Sequence, residues 1–147
     1  GEGIGVQQDI ERAYELCEEG RRAGYAWAST YLGCLHAKEG HILKARQLYK
    51  EGRRGGDARA ATLLGCLHVE EGQIPKARQL FEEGRRGGDA HAATLLGCLH
   101  AKAGQISKAQ QWYEEGRRGG DAKAVTLLGC LHAKEGQIPT ARQLFEE

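Results

Sequence analysis

The sequence contains no methionine, only two prolines and few aromatics, which make up 6% of its 147 residues. So few rings exclude a wide core built around aromatic side chains. No apolar run approaches the roughly 20 residues that a membrane-crossing helix needs. No signal-peptide pattern opens the chain. Charge of one sign is lacking as well. Lys and Arg number 21, Asp and Glu 20, and the formal net charge is +1. A protein whose main task is coating nucleic acid needs a positive excess to neutralise phosphates, so that function is disfavoured. The alternating apolar–polar pattern of strands is missing too. The length corresponds to one domain.

What the sequence does contain is a strict period. The segment Leu-Gly-Cys-Leu-His begins at Leu32, Leu64, Leu96 and Leu128, and Glu-Gly-Arg-Arg begins at Glu19, Glu51, Glu83 and Glu115, each with a step of 32 residues. Between 31–62 and 63–94, 24 positions match and 8 differ. The 22 glycines recur at fixed places in this period and are therefore not linker glycines. Recent duplication and an engineered, consensus-like array would both produce such similarity.

Each unit reads as two helices. In Asp57–Gly88, Asp57 follows Gly55-Gly56 and is a good N-cap. Ala60, Ala61, Leu63, Leu64, Leu67 and Val69 give the first helix a broad apolar face. Gly72 ends it, and Pro75 suits the first turn of the second helix. Ile74, Ala77, Leu80 and Phe81 then form a helical stripe, and Arg85-Arg86 close the helix where cations favour the dipole end. One hairpin cannot bury both its faces, whereas stacked hairpins can. The predicted class is therefore all-α, an α-solenoid of antiparallel helix hairpins. A single repeat domain over 1–147 would hold a partial first repeat at 1–24 contributing a second helix. Full repeats would follow at 25–56, 57–88 and 89–120, and a last one at 121–147 stops short of the period. Gly84 falls inside the second helix. Replacing it with Ala should raise the stability of the protein by up to ~1 kcal/mol if it is mid-helix; a loss would mean that Gly84 is at a bend or too close to a neighbouring helix for a methyl group.

Leu64, Gly65, Gly72, Ala77 and Phe81 follow a spacing that resembles the tetratricopeptide repeat. The stretch Gly3 to Ala13, glycine-rich and then Val6, Asp9, Arg12 and Ala13, is similar to the inter-helix loop of the Sel1-like repeat. The resemblance covers essentially the whole chain. It implies a right-handed superhelix whose first helices line the concave side, a loop over 1–9, and a role in scaffolding and partner binding. Two departures stand out: later hairpin loops shorten to Glu71-Gly72-Gln73-Ile74, and Gly84 stands where the family prefers Ala. With a loop at its start and Glu147 soon after Phe145, the chain is expected to be a segment of a longer array. Its uncapped ends could then pair with a second copy.

Three ladders invite chemistry. Cys34, Cys66, Cys98 and Cys130 share one repeat position, and Cys17 falls where Tyr49, Phe81, Tyr113 and Phe145 stand. Packed helices lie roughly 8–10 Å apart, too far for disulfides between rungs, which need Cα atoms within about 7 Å. Packing is the expected role. The odd total and the single rungs favour a reducing compartment such as the cytoplasm. His36, His68, His100 and His132 sit two residues after each Cys, on a different side of the helix; no metal site and no cofactor are expected. The Arg21-Arg22, Arg53-Arg54, Arg85-Arg86 and Arg117-Arg118 pairs could grip phosphate or an acidic surface. The plainer reading is that they compensate the helix dipole and pair with Glu82-Glu83 and its equivalents. No nucleophile elbow or phosphate loop is present, and the chain is not expected to be an enzyme.

The positions that vary between near-identical repeats carry the functional reading. Arg59 becomes His91 and Lys123, while Lys38 becomes Glu70, Lys102 and Lys134. Aligned to the tetratricopeptide pattern, these lie with Thr62 and Cys66 on the concave side. The resemblance implies a mildly basic groove that takes a peptide or protein domain, acidic in character. The Asn of a carboxylate clamp is absent, with Cys in its place. A structural or engineered scaffold without a natural ligand is the alternative. Nucleic-acid binding by repeats ranks below both, for want of stacking aromatics and positive charge.

Overall fold

A computed structural model describes residues 2–136, and these fold into eight helices with no strand among the described residues. They are α1 (Glu2–Arg22), α2 (Ala26–Lys38), α3 (Ile42–Arg54), α4 (Ala58–Glu70), α5 (Ile74–Arg86), α6 (Ala90–Lys102), α7 (Ile106–Arg118) and α8 (Ala122–Lys134). The expected second helix of the last unit, with Phe145, lies outside the described residues.

The turns explain the uniform lengths. At the end of α3, the Gly56 N–H donates to the Arg53 carbonyl and the Asp57 N–H to the Gly52 carbonyl, both at 3.0 Å. This Schellman pattern needs a left-handed residue, and Gly56 supplies φ +94°. The same device ends α4 through Gly72, with Gln73 N–H on the His68 carbonyl. Asp57, Asp89 and Asp121 then cap α4, α6 and α8 by accepting from the N–H two residues on. At α2 the cap position is Tyr25, which makes no side-chain cap bond. Pro75 sits in the first turn of α5.

Hairpins α2–α3, α4–α5 and α6–α7 pack tightly because glycine lets their backbones approach. A Cβ on Gly65 would lie 2.5 Å from the Phe81 ring, and one on Gly84 would lie 2.2 Å from Thr62 Oγ1 and 3.3 Å from Ala92 Cβ. Gly84 thus lies inside the helix, in the last turn of α5, and serves as a contact point with both its own hairpin and the next. The second branch of the expectation applies: the neighbouring helix leaves no room for a methyl group. Apolar seams fill the remaining space. Ala77, Phe81, Ala92, Leu96 and Leu99 form one such seam, and Cys17 is buried with Leu32 and Leu48 in another, consistent with its place in the aromatic core register.

The backbones of successive first helices approach closely, α2 with α4, α4 with α6 and α6 with α8, whereas those of α3, α5 and α7 stand farther apart and are joined only through side chains. A stack that is closer along one row curves toward it. The first-helix side is therefore concave.

One expectation is corrected. The segment from Gly3 to Asp9 is not a loop; it forms the first turns of α1, extending the helix before Ile10, the equivalent of Ile42 and Ile74. A Cβ on Gly3 or Gly5 would meet nothing within 4 Å, so no packed neighbour shapes this stretch. Its backbone groups are satisfied by continuing the helix.

Candidate functional site: the first-helix face

Along α4 Arg59 and Glu70 are exposed, and Leu63 and Cys66 are half-buried between them, the four spaced i, i+4, i+7 and i+11. That spacing is one stripe of an α-helix. The equivalent stripes are Trp27, Tyr31, Cys34 and Lys38 on α2; His91, Leu95, Cys98 and Lys102 on α6; and Lys123, Leu127, Cys130 and Lys134 on α8. The stripes converge on a common surface. The Cys66 thiol feels Glu70 on its own helix, Asp89 at the start of α6 and Lys123 at the start of α8.

Most of the residues singled out from sequence fall on this surface. Arg59, Glu70, Lys38, Lys102, Lys123 and Lys134 are exposed, and Cys66 and His91 are half-buried. Thr62 does not belong there. It is 2% exposed, turned into the hairpin against Gly84, with its hydroxyl donating to the Ala58 carbonyl at 3.4 Å. It presents nothing to a partner. His91 has a structural engagement of its own: its Nδ1 lies 3.0 Å from Oδ2 of Asp121, the cap of the next first helix.

Sequence reasoning missed the middle of the groove. Leu63, Leu95 and Leu127 are half-buried and line it, with Tyr31 at the equivalent rung 49% exposed and Trp27 57% exposed. Leu63 reads from sequence as one more apolar residue of a broad face. Only the i, i+4, i+7, i+11 relation to Arg59, Cys66 and Glu70 separates it from Leu64.

The Cys66 thiol is not activated. Burial chiefly, then Glu70, pushes the Cys66 pKa up to about 11; Lys123 pulls the other way, and Asp89 adds least. Tyr49 and Tyr113 aim their hydroxyls at the sulfurs of Cys34 and Cys98, at 3.8 and 3.7 Å. All five cysteines are free, and among the described residues no group of three or more His, Cys, Asp or Glu converges as a metal site. The histidine ladder bridges hairpin turns: His68 Nδ1 donates to Gln73 Oε1 at 2.7 Å, and His100 to Gln105 at 2.6 Å.

The arginine ladder does more than answer a helix dipole. Arg21 grips Glu51, Arg53 grips Glu83, and Arg85 reaches Glu115, each pair linking second helices of successive repeats. The first two are bidentate through Nε and Nη2, at 2.6 and 3.1 Å and at 2.6 and 2.7 Å. Arg46 pairs with Glu71 in the same inter-repeat sense. The nearby glutamates also take part, since Glu18, Glu82 and Glu114 bind the first arginine of their own helix.

Solved structures share this architecture. The chain is similar to a Sel1 repeat protein from Oxalobacter formigenes at 23% identity and a TM-score of 0.76, over 99% of this chain and 66% of that one. It is similar to a protective antigen of uropathogenic Escherichia coli displaying an SLR fold, at 19% identity and a TM-score of 0.73, over 90% of this chain and 32% of that one. PilF of Pseudomonas aeruginosa matches at 16% identity and a TM-score of 0.67, over 97% and 76%. The chain thus spans 66% of the first of these proteins and 32% of the second. No family model and no curated protein matches the sequence. The likeness lies in the three-dimensional repeat, and the chain has the fold of the Sel1-like, tetratricopeptide-like helical repeats.

Proposed function

We propose that the chain is a protein-interaction module that holds an extended acidic peptide along its concave first-helix face. The observation that carries this reading is the composition of the stripes. A central apolar row, Tyr31, Leu63, Leu95 and Leu127, runs between outer rungs in which Lys38, Arg59, Lys102, Lys123 and Lys134 face one acid, Glu70. An extended chain rises about 3.3 Å per residue, so roughly three residues span the 8–10 Å between neighbouring packed helices. A peptide with an apolar residue at every third position and carboxylates between them matches both rows.

The test is fluorescence anisotropy with a labelled peptide carrying leucine at every third position and aspartate elsewhere. Binding should weaken with salt and be lost on Arg59→Glu plus Lys123→Glu, with an unchanged Tm because both residues are exposed. Absence of binding to the unaltered chain, or equal binding by the double variant, refutes the reading. The near-identity of the repeats favours a second reading, a rigid spacer without a ligand, which predicts no binding in this assay.

A further inference from the structure

We propose that the groove between α3 and α5, on the side away from the first-helix stripes, binds a small phosphate monoester. The second helices stand apart here and leave a cavity of about 500 Å³, within the range of small-molecule sites. Its rim carries Lys50, Arg53 and Arg54, and its floor is Leu64, Leu80 and His68.

Comparison with the other repeats shows how far this groove departs from its neighbours. The position of Lys50 is Glu18, Glu82 and Glu114 elsewhere. Each of those acids binds the first arginine of its own helix. In α3 the acid is replaced by a cation. Arg53 keeps its partner across the groove, Glu83, and among the described residues Lys50 and Arg54 form no ion pair, Arg54 acting on Glu51 only through its charge. Glu51, the acid nearest Arg54 in sequence, is occupied by Arg21 and Ser29. Three cations therefore face the one carboxylate that lines the cavity, and the excess of two positive charges matches a phosphate dianion.

The floor differs as well. One repeat on, Trp112 stands where Leu80 is, stacked on His100 and covered by Arg85 at 5.3 Å. One repeat earlier, the equivalent cavity of about 380 Å³ is lined by Glu15 and Glu18 against Arg22. Neither neighbour combines an open apolar floor with a cationic rim. In the α3–α5 groove, the Lys50 ammonium and the Arg54 guanidinium would hold the phosphoryl oxygens. The organic part would lie on Leu64, Leu80 and the His68 ring.

The probe is phenyl phosphate, titrated at low ionic strength and followed by amide NMR shifts, with inorganic phosphate as competitor and benzoate as comparator. Saturable shifts should cluster at the ends of α3 and α5, inorganic phosphate should compete, and benzoate should bind more weakly. Lys50→Glu should lower affinity at least about tenfold. It is expected to fold, because three other repeats carry Glu at this position. Arg59→Glu plus Lys123→Glu should leave phenyl phosphate binding unchanged, which separates this site from the concave face. A phosphotyrosine peptide forms the second arm. Tighter binding than phenyl phosphate assigns the phosphoryl group to a protein, and weaker or equal binding assigns it to a free small molecule. The proposal is overturned by absence of saturation, by benzoate binding as tightly, by failure of inorganic phosphate to compete, or by unchanged affinity in Lys50→Glu.

Discussion

Thr62 fills the space in front of Gly84: a Cβ on that glycine would lie 2.2 Å from the Thr62 hydroxyl oxygen. The same distance recurs for Gly52 with Thr30 and for Gly116 with Thr94. The contact sits where the second helix crosses the first helix of its own hairpin, with the Cβ of the next repeat's alanine also in reach. It therefore fixes both the hairpin and the stack.

Gly84→Ala should accordingly destabilise the protein. The gain in helix propensity, ~1 kcal/mol, is outweighed by overpacking of about 1–3 kcal/mol. Urea denaturation measures the difference. Thr62→Ala in the same chain should recover part of the loss, giving a non-additive double-mutant cycle. A Gly84→Ala variant more stable than the parent would show that the hairpin relaxes freely at this point.

The inter-repeat arginine–glutamate pairs predict an acid limb. Hydrogen bonds from Arg21 and Ser29 hold the Glu51 carboxyl below the usual range, and Arg53 does the same to Glu83. A carboxyl depressed in the folded state contributes stability above its unfolded value, about 4.3, and loses it as pH falls through the folded value. Stability should be level in this respect near neutrality and decline below about pH 4.5. Glu51→Gln should flatten that decline. Because the pair is partly exposed, its cost at neutral pH should stay under ~1 kcal/mol. Thermal melts from pH 7 to 3 decide this, and an unchanged acid slope in the variant would remove Glu51 from the account.

Tyr25 occupies the cap position that Asp57, Asp89 and Asp121 hold in the later repeats, and it makes no cap bond. Tyr25→Asp should add one, raising stability by about 0.5–1 kcal/mol. The ring it removes is exposed and touches Trp27 at 6.1 Å between centroids. Differential scanning calorimetry should show a higher Tm; a lower one would mean that the Tyr25–Trp27 stack outweighs the cap.

With its pKa raised to about 11, Cys66 should resist alkylation near neutral pH, because the thiolate is the reactive form. The exposed Cys130 should react with iodoacetamide well before it. Peptide mass spectrometry after timed alkylation ranks the two. Equal rates would contradict the burial of Cys66.

The repeat, its two-helix unit and its stops were legible because they rest on local physics. Asp57 caps, Gly72 reverses the chain and Pro75 starts a helix through interactions within a few residues. The spacing of Ala77, Leu80 and Phe81 follows from the helical period. The inward stripe was half legible. Variation at Arg59, His91 and Lys123 marked its outer rung, but Thr62 and Leu63, adjacent in sequence, exchanged roles. One residue turns a side chain by about 100° on a helix, and only packing against Gly84 shows which of the two faces inward.

The sequence by itself determined the helices, the turns and the register of the repeats, since each depends on hydrogen bonds and backbone conformations among near neighbours. The tertiary structure decided what the glycines at 65 and 84 are for, which side of the stack is concave, and which glutamate each arginine holds. It also decided that Lys50, standing where other repeats carry an acid, lines the cavity between α3 and α5 with Arg53 and Arg54. Those outcomes depend on side chains about 30 residues apart meeting across a helix interface, a distance at which local propensity carries no information.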